Sequence, residues 1–408
     1  MTPPPAPRNP SLHEPSNPPD GGAILWLTET YFPSSGGMAQ SCDRIVHGLR
    51  QAGVRIDLVH FVAAHDAAAS GRAPTGEIET RRERLNGRDM RWALDHDLGH
   101  GMSRLFAWLE GSSRTRPYTH VVAFGGRHPL AAAPVFAAWL GARLITLLRG
   151  NDFESGIFSA RRRHALMEAL SASHRIGAVT SDMARKVKAL LPGTNVVHTP
   201  NGIDLADWLL LPSHLAAARH WRNESALNER LVLGCFGRLK KKKGVDFLLE
   251  CLRQSGCANQ THLHLVGTLE PDAEARLAAP GGPWSVSRRD FIPRSQLPGE
   301  YAKCDYVVIP SFYDGMPNVL LEAGGLGLPL IASDVGGMRD LIGASNRGWL
   351  FQAGDAEGCR AAIRRACATP PDRRASMGAA LRLHIAEHFT AQQETARYLD
   401  LLQPSTQP

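Results

Sequence analysis

Two acidic residues, Asp314 and Glu322, lie eight positions apart after the apolar run 306–310. Gly315 permits a tight backbone turn and Pro317 suits the first turn of a helix, so we predict a strand, a turn and a helix in succession. Glu322 is then placed to accept two hydrogen bonds from a ribose diol. The unpaired amides of a helix start bind phosphate or sugar hydroxyls, and here they belong to Gly315, Met316 and Asn318. Two unrelated acids around a helix start are the competing interpretation of this segment alone.

A loop with five positive charges, 237–244, stands between the apolar run 231–236 and a helical pattern at 245–252. In open α/β sheets, ligands bind where a strand passes into a helix. Arg238 offers a forked pair of donors and Lys243 a point charge, and together they suit a diphosphate. A solvated lysine loop explains the same residues, so this loop alone leaves both interpretations open.

A glycine pair, Gly36-Gly37, separates the apolar run 23–28 from a helical pattern at 38–49. Glycine lets the backbone of such a corner lie close to a ligand at a helix N-terminus. The pair lacks the GxGxxG spacing of a dinucleotide fingerprint, and an ordinary connecting loop is the alternative.

Short apolar runs alternate with helical patterns along the whole chain, which is typical of parallel strands joined by crossover helices. A chain of 408 residues exceeds one typical domain, so we expect two α/β domains with a cleft between them and a boundary near 207–228. The Pro-rich segment 1–22 lacks an apolar core and is predicted to be a disordered tail. Strands are predicted at 23–28, 55–61, 120–124, 143–148, 175–180, 195–199, 231–236, 262–266, 306–310 and 330–333.

The amino-acid composition limits which classes of ligand and which cellular compartment fit this sequence. The formal net charge of +7 suits an anionic ligand, but the basic runs have no interleaved aromatic residues, so we expect no nucleic acid. Seven cysteines without a CxxC pair indicate neither a disulfide framework nor a zinc site and favour the cytoplasm. The apolar stretch 130–148 is long enough to span a membrane, but Pro134 and Gly141 favour a buried helix followed by a buried strand.

The three segments, in this order, resemble the retaining GT-B glycosyltransferases of family four, also called glycosyl transferases group 1. Those enzymes carry an E-x7-E motif, a G-R-L-x3-K-G loop and an N-terminal Gly-Gly loop. Supporting matches are Pro200-Asn-Gly-Ile-Asp204, Asp334-Val-Gly-Gly337 and Gly348-Trp-Leu-Phe351. The resemblance implies two Rossmann-like α/β domains facing across a cleft, an acceptor-side domain at 23–206, a donor domain at 207–385, and a C-terminal helix, 386–408, that packs back on the first domain.

Carried over by position, the resemblance implies that Arg238 and Lys243 bind the donor diphosphate, Glu322 binds the ribose, and Asp314 holds the transferred sugar. Gly36-Gly37 would approach the diphosphate from the other domain. The implied reaction is a retaining transfer of a hexose-type sugar from a UDP-, GDP- or ADP-sugar to a glycan, lipid-linked or small-molecule acceptor, as in polysaccharide or glycolipid biosynthesis. No cofactor and no metal are expected.

The expected reaction is a front-face substitution, in which the departing diphosphate takes the acceptor's proton. Stabilising that leaving group is then the main catalytic task. The tripeptide Asp95-His96-Asp97 is interpreted as a chance DxD match, not as a metal site.

Two positions depart from the family pattern. The first acid is Asp314 instead of glutamate, and Arg149-Gly-Asn-Asp152 stands where many members have His-Gly-x-Asp. Arginine cannot serve as a general base at neutral pH, so Arg149 and Asp152 are expected to hold an anion or sugar hydroxyls on the acceptor side, and Arg149 is included among the catalytic candidates.

Several alternatives stay open at this stage. A sugar-nucleotide epimerase or hydrolase, a phosphorylase of the same architecture, and an inactive nucleotide-sugar-binding subunit fit the same motifs. The donor base, the donor sugar, the acceptor and the oligomeric state are left undecided. A lipid-linked acceptor would bring the protein to the inner surface of an anionic membrane, with Arg161 to Arg163 and Arg185, Lys186 and Lys188 as the basic face.

Overall fold

The computed structural model describes residues 22–34, 36–63, 78–94, 98–278, 285–343 and 346–403. The predicted tail up to residue 21 and the tripeptide Asp95-His96-Asp97 lie outside the described residues. Two sheets, each covered by helices on both faces, organise the described chain.

Eight strands of the described residues form the first sheet, in the order β3-β4-β2-β1-β5-β6-β7-β8. All neighbours are parallel except β3, which runs antiparallel to β4. The strands are β1 (Ala23–Thr28), β2 (Arg55–Ala63), β3 (Ile78–Arg84), β4 (Gly87–Leu94), β5 (Tyr118–Phe124), β6 (Arg143–Leu148), β7 (Arg175–Ala178) and β8 (Val196–His198). The helices are α1 (Gly37–Gln51), α2 (Leu98–Ser113), α3 (His128–Leu140), α4 (Asn151–Glu154), α5 (Arg163–Ala172) and α6 (Ser181–Leu190).

The second sheet of the described residues has six parallel strands in the order β11-β10-β9-β12-β13-β14. Its strands are β9 (Leu231–Phe236), β10 (Thr261–Val266), β11 (Val286–Arg289), β12 (Tyr306–Ile309), β13 (Leu330–Ser333) and β14 (Gly348–Phe351). The helices are α7 (Pro212–Glu224), α8 (Val245–Ser255), α9 (Pro271–Ala278), α10 (Leu297–Tyr301), α11 (Asn318–Gly325), α12 (Met338–Ile342), α13 (Ala356–Cys367), α14 (Pro371–His388) and α15 (Ala391–Leu402). Short 3-10 turns occupy Lys241–Lys243, Ala258–Gln260 and Arg294–Gln296.

The burial of the central strands explains why apolar runs in the sequence predicted strand positions well. β1 and β10 are buried at every position, as expected for parallel strands that carry helices on both faces. All ten predicted strands are present, and their ends differ from the prediction by at most two residues. The sequence analysis missed four strands: β3, β11 and β14 lie at the edges of the sheets, and β4 lies next to an edge. β3 and β4 carry many polar side chains, and β11 and β14 have only four residues each.

The prediction for 130–148 is confirmed, because α3 and β6 fill this stretch. Pro134 lies inside α3, and Gly141 ends the helix in the left-handed conformation that glycine favours. Across the described parts of the chain, no helix is both long and apolar enough to span a membrane.

The last two helices serve different sheets. α14 packs on α11 of the second sheet, whereas α15 packs on α1 of the first. Arg44 of α1 and the buried Glu394 of α15 form an ion pair, with 2.5 Å between Nε and Oε2. The chain therefore crosses between the two sheets twice, and the predicted domain limits at 206/207 and 385/386 remain predictions.

Candidate active site

A cavity of about 460 Å³ opens between the carboxyl ends of the two sheets. Loops of both sheets line it, which is where open α/β sheets place their ligands. Ten predicted site residues lie on its wall: Gly36, Gly37, Arg149, Arg238, Lys243, Asp314, Met316, Pro317, Asn318 and Glu322. Gly315 and Asp152 lie behind this wall, next to residues that form it.

The basic loop divides its charges between the cavity and the outer surface. Arg238 and Lys243 line the cavity, and the Lys243 ammonium pairs with the Asp314 carboxylate. Lys242 instead lies 5.1 Å from the centre of the Tyr313 ring, and burial lowers the pKa of its ammonium. The Lys241 amide donates to Glu270 Oε2 at 2.7 Å, on the far side of the loop. Only part of the basic run therefore faces the cavity.

Glycines at both ends shape this loop. Gly237 and Gly244 have φ values of 100° and 70°, in the left-handed region that other residues rarely adopt. A side chain at Gly244 would also collide with the Pro310 carbonyl oxygen, so the loop lies directly against the end of β12.

The acidic segment forms the predicted strand, turn and helix, with Pro317 at the position just before α11. The Gly315 amide was expected to be free for a ligand, but it donates to Asp314 Oδ1 at 3.1 Å. This bond fixes the carboxylate whose other oxygen meets Lys243. The Asp314 side chain is thus held from two sides.

Glu322 lies one turn inside α11 and is 6% exposed. Burial raises the pKa of its carboxyl group, an effect that the Tyr301 hydroxyl and the charges of Arg294 and Arg44 oppose. Tyr301 donates to Glu322 Oε2 at 2.9 Å. One carboxylate oxygen is therefore held in place while the residue still lines the cavity.

The glycine pair faces the acidic segment from the opposite sheet. Gly36 has φ 125° and immediately precedes α1. A Cβ at Gly37 would lie 3.7 Å from the Asn318 side-chain nitrogen, which donates to Gln40 Oε1 at 2.8 Å. The starts of α1 and α11 therefore meet across the cavity, and residues of both first turns line it.

Arg149 and Asp152 both make their described contacts within the protein. The Arg149 guanidinium donates to the Tyr398 hydroxyl at 2.8 Å and to Asn201 Oδ1, and lies 4.9 Å from the centre of the Phe124 ring. The Asp152 carboxylate accepts from the amides of Arg149 and Gly150, at 2.8 and 2.6 Å. Burial raises the pKa of Asp152 against the effect of those amides. Asp152 thus stabilises the loop that carries Arg149, and the acceptor-side roles of both residues stay predictions.

A second cavity, of about 630 Å³, adjoins the first at Asp314, which lines both. Its walls carry charges of both signs from α6 and α12, together with the half-exposed rings of Phe312 and Tyr313. Arg185 and Lys186 pair there with Asp182, and Arg339 with Asp334. Such a mixed polar and aromatic surface suits a polyhydroxylated ligand better than a uniformly charged one.

Sequence reasoning missed four contributors to the site. Tyr301, Tyr398 and Gln40 each hold one predicted residue by a hydrogen bond, and Asn201 holds two, Arg149 and Met316. Asn201 is part of Pro200-Asn-Gly-Ile-Asp204, a motif that supported the family resemblance, but the sequence analysis assigned it no function in the site. The other three occur in ordinary helical patterns, where nothing marks a polar side chain as facing a cleft.

Nothing in the described residues brings three or more His, Cys, Asp or Glu side chains together as a metal site. The charges that face the cavity are the side chains of Arg238, Lys243, Arg149, Asp314 and Glu322.

The comparisons with known proteins agree with this geometry. The profile described as Glycosyltransferase Family 4 matches residues 35–207, and that described as Glycosyl transferases group 1 matches residues 230–369. The chain belongs to the family-four glycosyltransferases. The first match falls on the first sheet and the second on the second sheet, and together they cover most of the chain.

Two relatives illustrate the range of this family. The amylovoran biosynthesis glycosyltransferase AmsK of Erwinia amylovora is 29% identical over 152 residues, 34% of this chain and 37% of AmsK. The GDP-mannose-dependent α-(1-6)-phosphatidylinositol monomannoside mannosyltransferase of Mycolicibacterium smegmatis is 27% identical over 292 residues, 68% of this chain and 75% of that enzyme. The chain thus matches about a third of the length of the first relative and three quarters of the second.

Solved structures show the fold. HepE from Anabaena, in complex with UDP, has a TM-score of 0.71 at 18% identity, over 93% of this chain and 98% of HepE. Sucrose-phosphate synthase from Thermosynechococcus elongatus has a TM-score of 0.71 at 17% identity, over 93% of this chain and 98% of that one. The two parallel-sheet domains of this family-four glycosyltransferase therefore have the GT-B fold.

Proposed function

We propose that this protein transfers a hexose-type sugar from a nucleotide-diphosphate sugar to an acceptor hydroxyl, with retention of configuration. The observation that carries the proposal is a single cavity, between two sheets, that brings together Arg238, Lys243, Asp314 and Glu322 with the starts of α1 and α11. Separate sequence segments supply these groups, and a solvated lysine loop would not place two of its cations opposite two carboxylates.

We propose one orientation for the donor in this cavity. Arg238 and Lys243 neutralise the diphosphate, and the α1 amides after Gly36 approach it from the other side. Glu322, held by Tyr301, accepts the ribose hydroxyls. The apolar rim at Phe291 and Ile292 then remains for the base, and Asp314 for the sugar.

The Lys243–Asp314 pair gives the cavity a way to exchange partners on binding. In the unliganded site the two charges satisfy each other. When the donor binds, Lys243 turns to phosphate oxygens and Asp314 accepts from a sugar hydroxyl, so neither charge is left unpaired. The pair keeps both groups in place before the donor arrives, which lowers the cost of organising the site.

The proposed chemistry is substitution on one face of the sugar. The bond to the diphosphate breaks as the acceptor oxygen arrives on the same side, and a phosphate oxygen takes the acceptor's proton. Arg238, Lys243 and the helix starts stabilise the charge that grows on the leaving group, work that can be worth several kcal/mol in a site shielded from water. These cations do the work that a metal ion does elsewhere, so we propose a metal-independent reaction.

The partners follow from the chemistry and from the relatives. UDP in HepE and GDP-mannose in the mycobacterial relative make UDP- and GDP-sugars the first donors to test, with ADP-sugars third. We propose a glycan or lipid-linked acceptor that enters through the second cavity, where Tyr313 can stack on a sugar ring. The protein would work in the cytoplasm, and a lipid-linked acceptor would bring it to the inner membrane surface.

One exposed loop supports the membrane part of this proposal. Phe158 is 90% exposed and lies next to Arg161, Arg162 and Arg163, which are exposed as well. An apolar side chain beside three cations suits an anionic lipid surface, where each charge contributes about 1 kcal/mol. Sedimentation with anionic vesicles at low and high salt tests this, and salt-resistant binding would argue for hydrophobic insertion.

The function is tested by calorimetric titration of UDP, GDP and ADP, followed by assays with the matching sugars and an acceptor panel. We expect one nucleotide to bind and its sugar to be transferred with retention, as read by NMR of the product. Asp314→Asn should lower kcat while nucleotide affinity stays within about twofold. Donor turnover without acceptor would indicate an epimerase or hydrolase, and binding without any turnover would indicate an inactive subunit. Failure to bind any nucleotide would overturn the site assignment.

A further inference from the structure

Arg149 occupies a buried position that joins three parts of the fold. It follows β6 directly and is 8% exposed. One guanidinium nitrogen donates to the hydroxyl of Tyr398, which is 1% exposed on α15, and another donates to Asn201 Oδ1. The planar fork of arginine makes both bonds at once, whereas an imidazole has a single donor when neutral and a shorter reach.

Asn201 extends this connection into the second sheet's side of the cavity. It is 4% exposed, and its Nδ2 donates to the Met316 carbonyl oxygen at 2.7 Å. Its main-chain amide lies 3.3 Å from the Met316 sulfur. Met316 belongs to the turn that carries Asp314 and leads into α11. A line of side chains therefore runs from Tyr398 through Arg149 and Asn201 to this turn.

The main chain makes a second contact at the same place. A Cβ at Gly315 would collide with the Arg149 carbonyl oxygen, and a Cβ at Gly150 would lie 3.3 Å from the Gly315 nitrogen. The turn 314–317 is thus pressed against the loop after β6, with backbone against backbone. A shift of the loop after β6 would therefore press on the turn that carries Asp314.

We infer that Arg149 is a positioning residue, which holds the 314–317 turn in register through Asn201 and is itself held by Tyr398 of the C-terminal helix. This inference rests on the proposed function, since it gives Arg149 a part in the same transfer. It assigns catalytic importance to Tyr398, which lies 84 positions beyond Asp314 in the sequence. Arg149 then supports the reacting groups instead of contacting the acceptor.

The experiment compares the wild type with Tyr398→Phe, Arg149→Met and the double variant, using Tyr118→Phe as the control. Tyr118 is also a buried tyrosine; its hydroxyl donates to Asp57 Oδ2 at 2.9 Å and accepts from Arg88 at 3.4 Å, but it lies at the start of β5, at the amino end of the strands and so opposite the cavity. Hydrogen exchange without ligand is the first measurement. It reports on the Gly337 amide, which donates to Gly315 O at 2.8 Å, and on the Leu320 amide, which donates to Pro317 O at 3.0 Å.

We expect Tyr398→Phe to speed exchange at these two amides by about tenfold, the effect of losing one buried hydrogen bond. Arg149→Met should do at least as much, and the double variant no more than Arg149→Met, because the two residues act in series. Tyr118→Phe should leave both amides unchanged. Unaltered exchange in Tyr398→Phe, or a double effect equal to the product of the single effects, would overturn the inference.

Kinetics supply the second measurement. Tyr398→Phe should lower kcat about five- to tenfold with the donor KM within twofold of wild type. A raised donor or acceptor KM at unchanged kcat would show that the network serves ligand contact, and would also overturn the inference. Because hydrogen exchange needs no substrate, its result stands even if the protein proves to have no transferase activity, so the two failures can be told apart.

Discussion

The two walls of the cavity are built in opposite ways. On the second-sheet wall, Lys243, Asp314 and Glu322 present charged side chains to the cavity. On the first-sheet wall, Gly36 and Gly37 present backbone, and the described contacts of the Arg149 guanidinium are with the protein itself. The difference separates two tasks, since one wall carries the charges that meet the donor and the other sets where those charges stand. We call the first-sheet wall the first wall and the second-sheet wall the second wall. Substitutions on the first wall should therefore act by moving other residues of the site, and substitutions on the second wall by removing charge.

The largest effect should come from the cations of the second wall. Lys243→Ala and Arg238→Ala should each lower kcat/KM by about 10- to 100-fold, because a charge-assisted contact is worth ~1.5–3 kcal/mol. Lys243→Ala should be the more severe, since it also leaves Asp314 without its ion-pair partner. Steady-state kinetics with the identified donor provide the measurement.

Lys241→Ala is the matched control for this pair, because the Lys241 amide, not its ammonium, makes the contact with Glu270. Its kcat/KM should stay within twofold of wild type. Equal losses at all three positions would show a diffuse basic patch and erase the distinction between the walls.

A backbone change where the walls meet should come next. Gly315→Ala places a methyl group against the Arg149 carbonyl oxygen, which the backbone can accommodate only by moving the turn. We expect kcat to fall about tenfold and the free energy of unfolding to fall by about 1–3 kcal/mol. Gly111→Ala, a helical glycine with open space around it, should be neutral or stabilising by up to about 1 kcal/mol. A fully active Gly315→Ala protein would contradict the close contact between the walls.

Glu322→Gln should separate binding from stability. Burial raises the pKa of Glu322, so the folded protein holds this proton to a higher pH than the unfolded chain does. The charged carboxylate therefore costs stability above its unfolded pKa, and the cost grows as the pH rises through the folded pKa. The variant should have a Tm equal to wild type near pH 4 and higher at pH 7, while nucleotide affinity falls about tenfold.

Thermal melts from pH 4 to 8 and nucleotide titrations check both parts of that prediction. Tyr301→Phe is the companion variant, since it removes the hydroxyl that donates to Glu322 and should lower stability without removing the carboxylate. Unchanged nucleotide affinity in Glu322→Gln would show that Glu322 does not bind the ribose.

The smallest expected effect is that of metal removal. If the cations of the second wall do the work of a metal ion, transfer should continue at full rate in excess EDTA. Loss of activity in EDTA that Mn²⁺ restores would contradict the metal-independent proposal and reduce the importance of Arg238 and Lys243.

The fold could be predicted wherever strands are buried on both faces, because their apolar runs are continuous. The hairpin of β3 and β4 was missed since β3 reads Ile-Glu-Thr-Arg-Arg-Glu-Arg, the polar pattern of an edge strand. A signal was available in the Asn86-Gly87 dipeptide, which is common at hairpin connections; Asn86 lies in the turn and Gly87 begins β4, and both have positive φ.

The site residues likewise include some that the sequence predicts and some that it does not. The second wall could be predicted because its residues lie within two short segments whose helix starts and glycines are visible in the sequence. The orientation of Arg149 could not, because its partner Tyr398 is 249 positions away. Long-range side-chain contacts of this kind leave no periodic pattern.

The double crossing between the sheets has a mechanical consequence. The two crossing segments lie side by side, since Ile203 donates to Phe389 O and Ala391 to Ile203 O, each at 2.9 Å. A side chain at Gly202 would lie 2.5 Å from the Thr390 carbonyl oxygen, so the segments touch along their backbones. Because the two crossing segments are bonded to each other here, they form a single connection between the sheets. Moving one crossing segment along the other would break these hydrogen bonds, so we expect the two segments to bend together whenever the two sheets change their relative position.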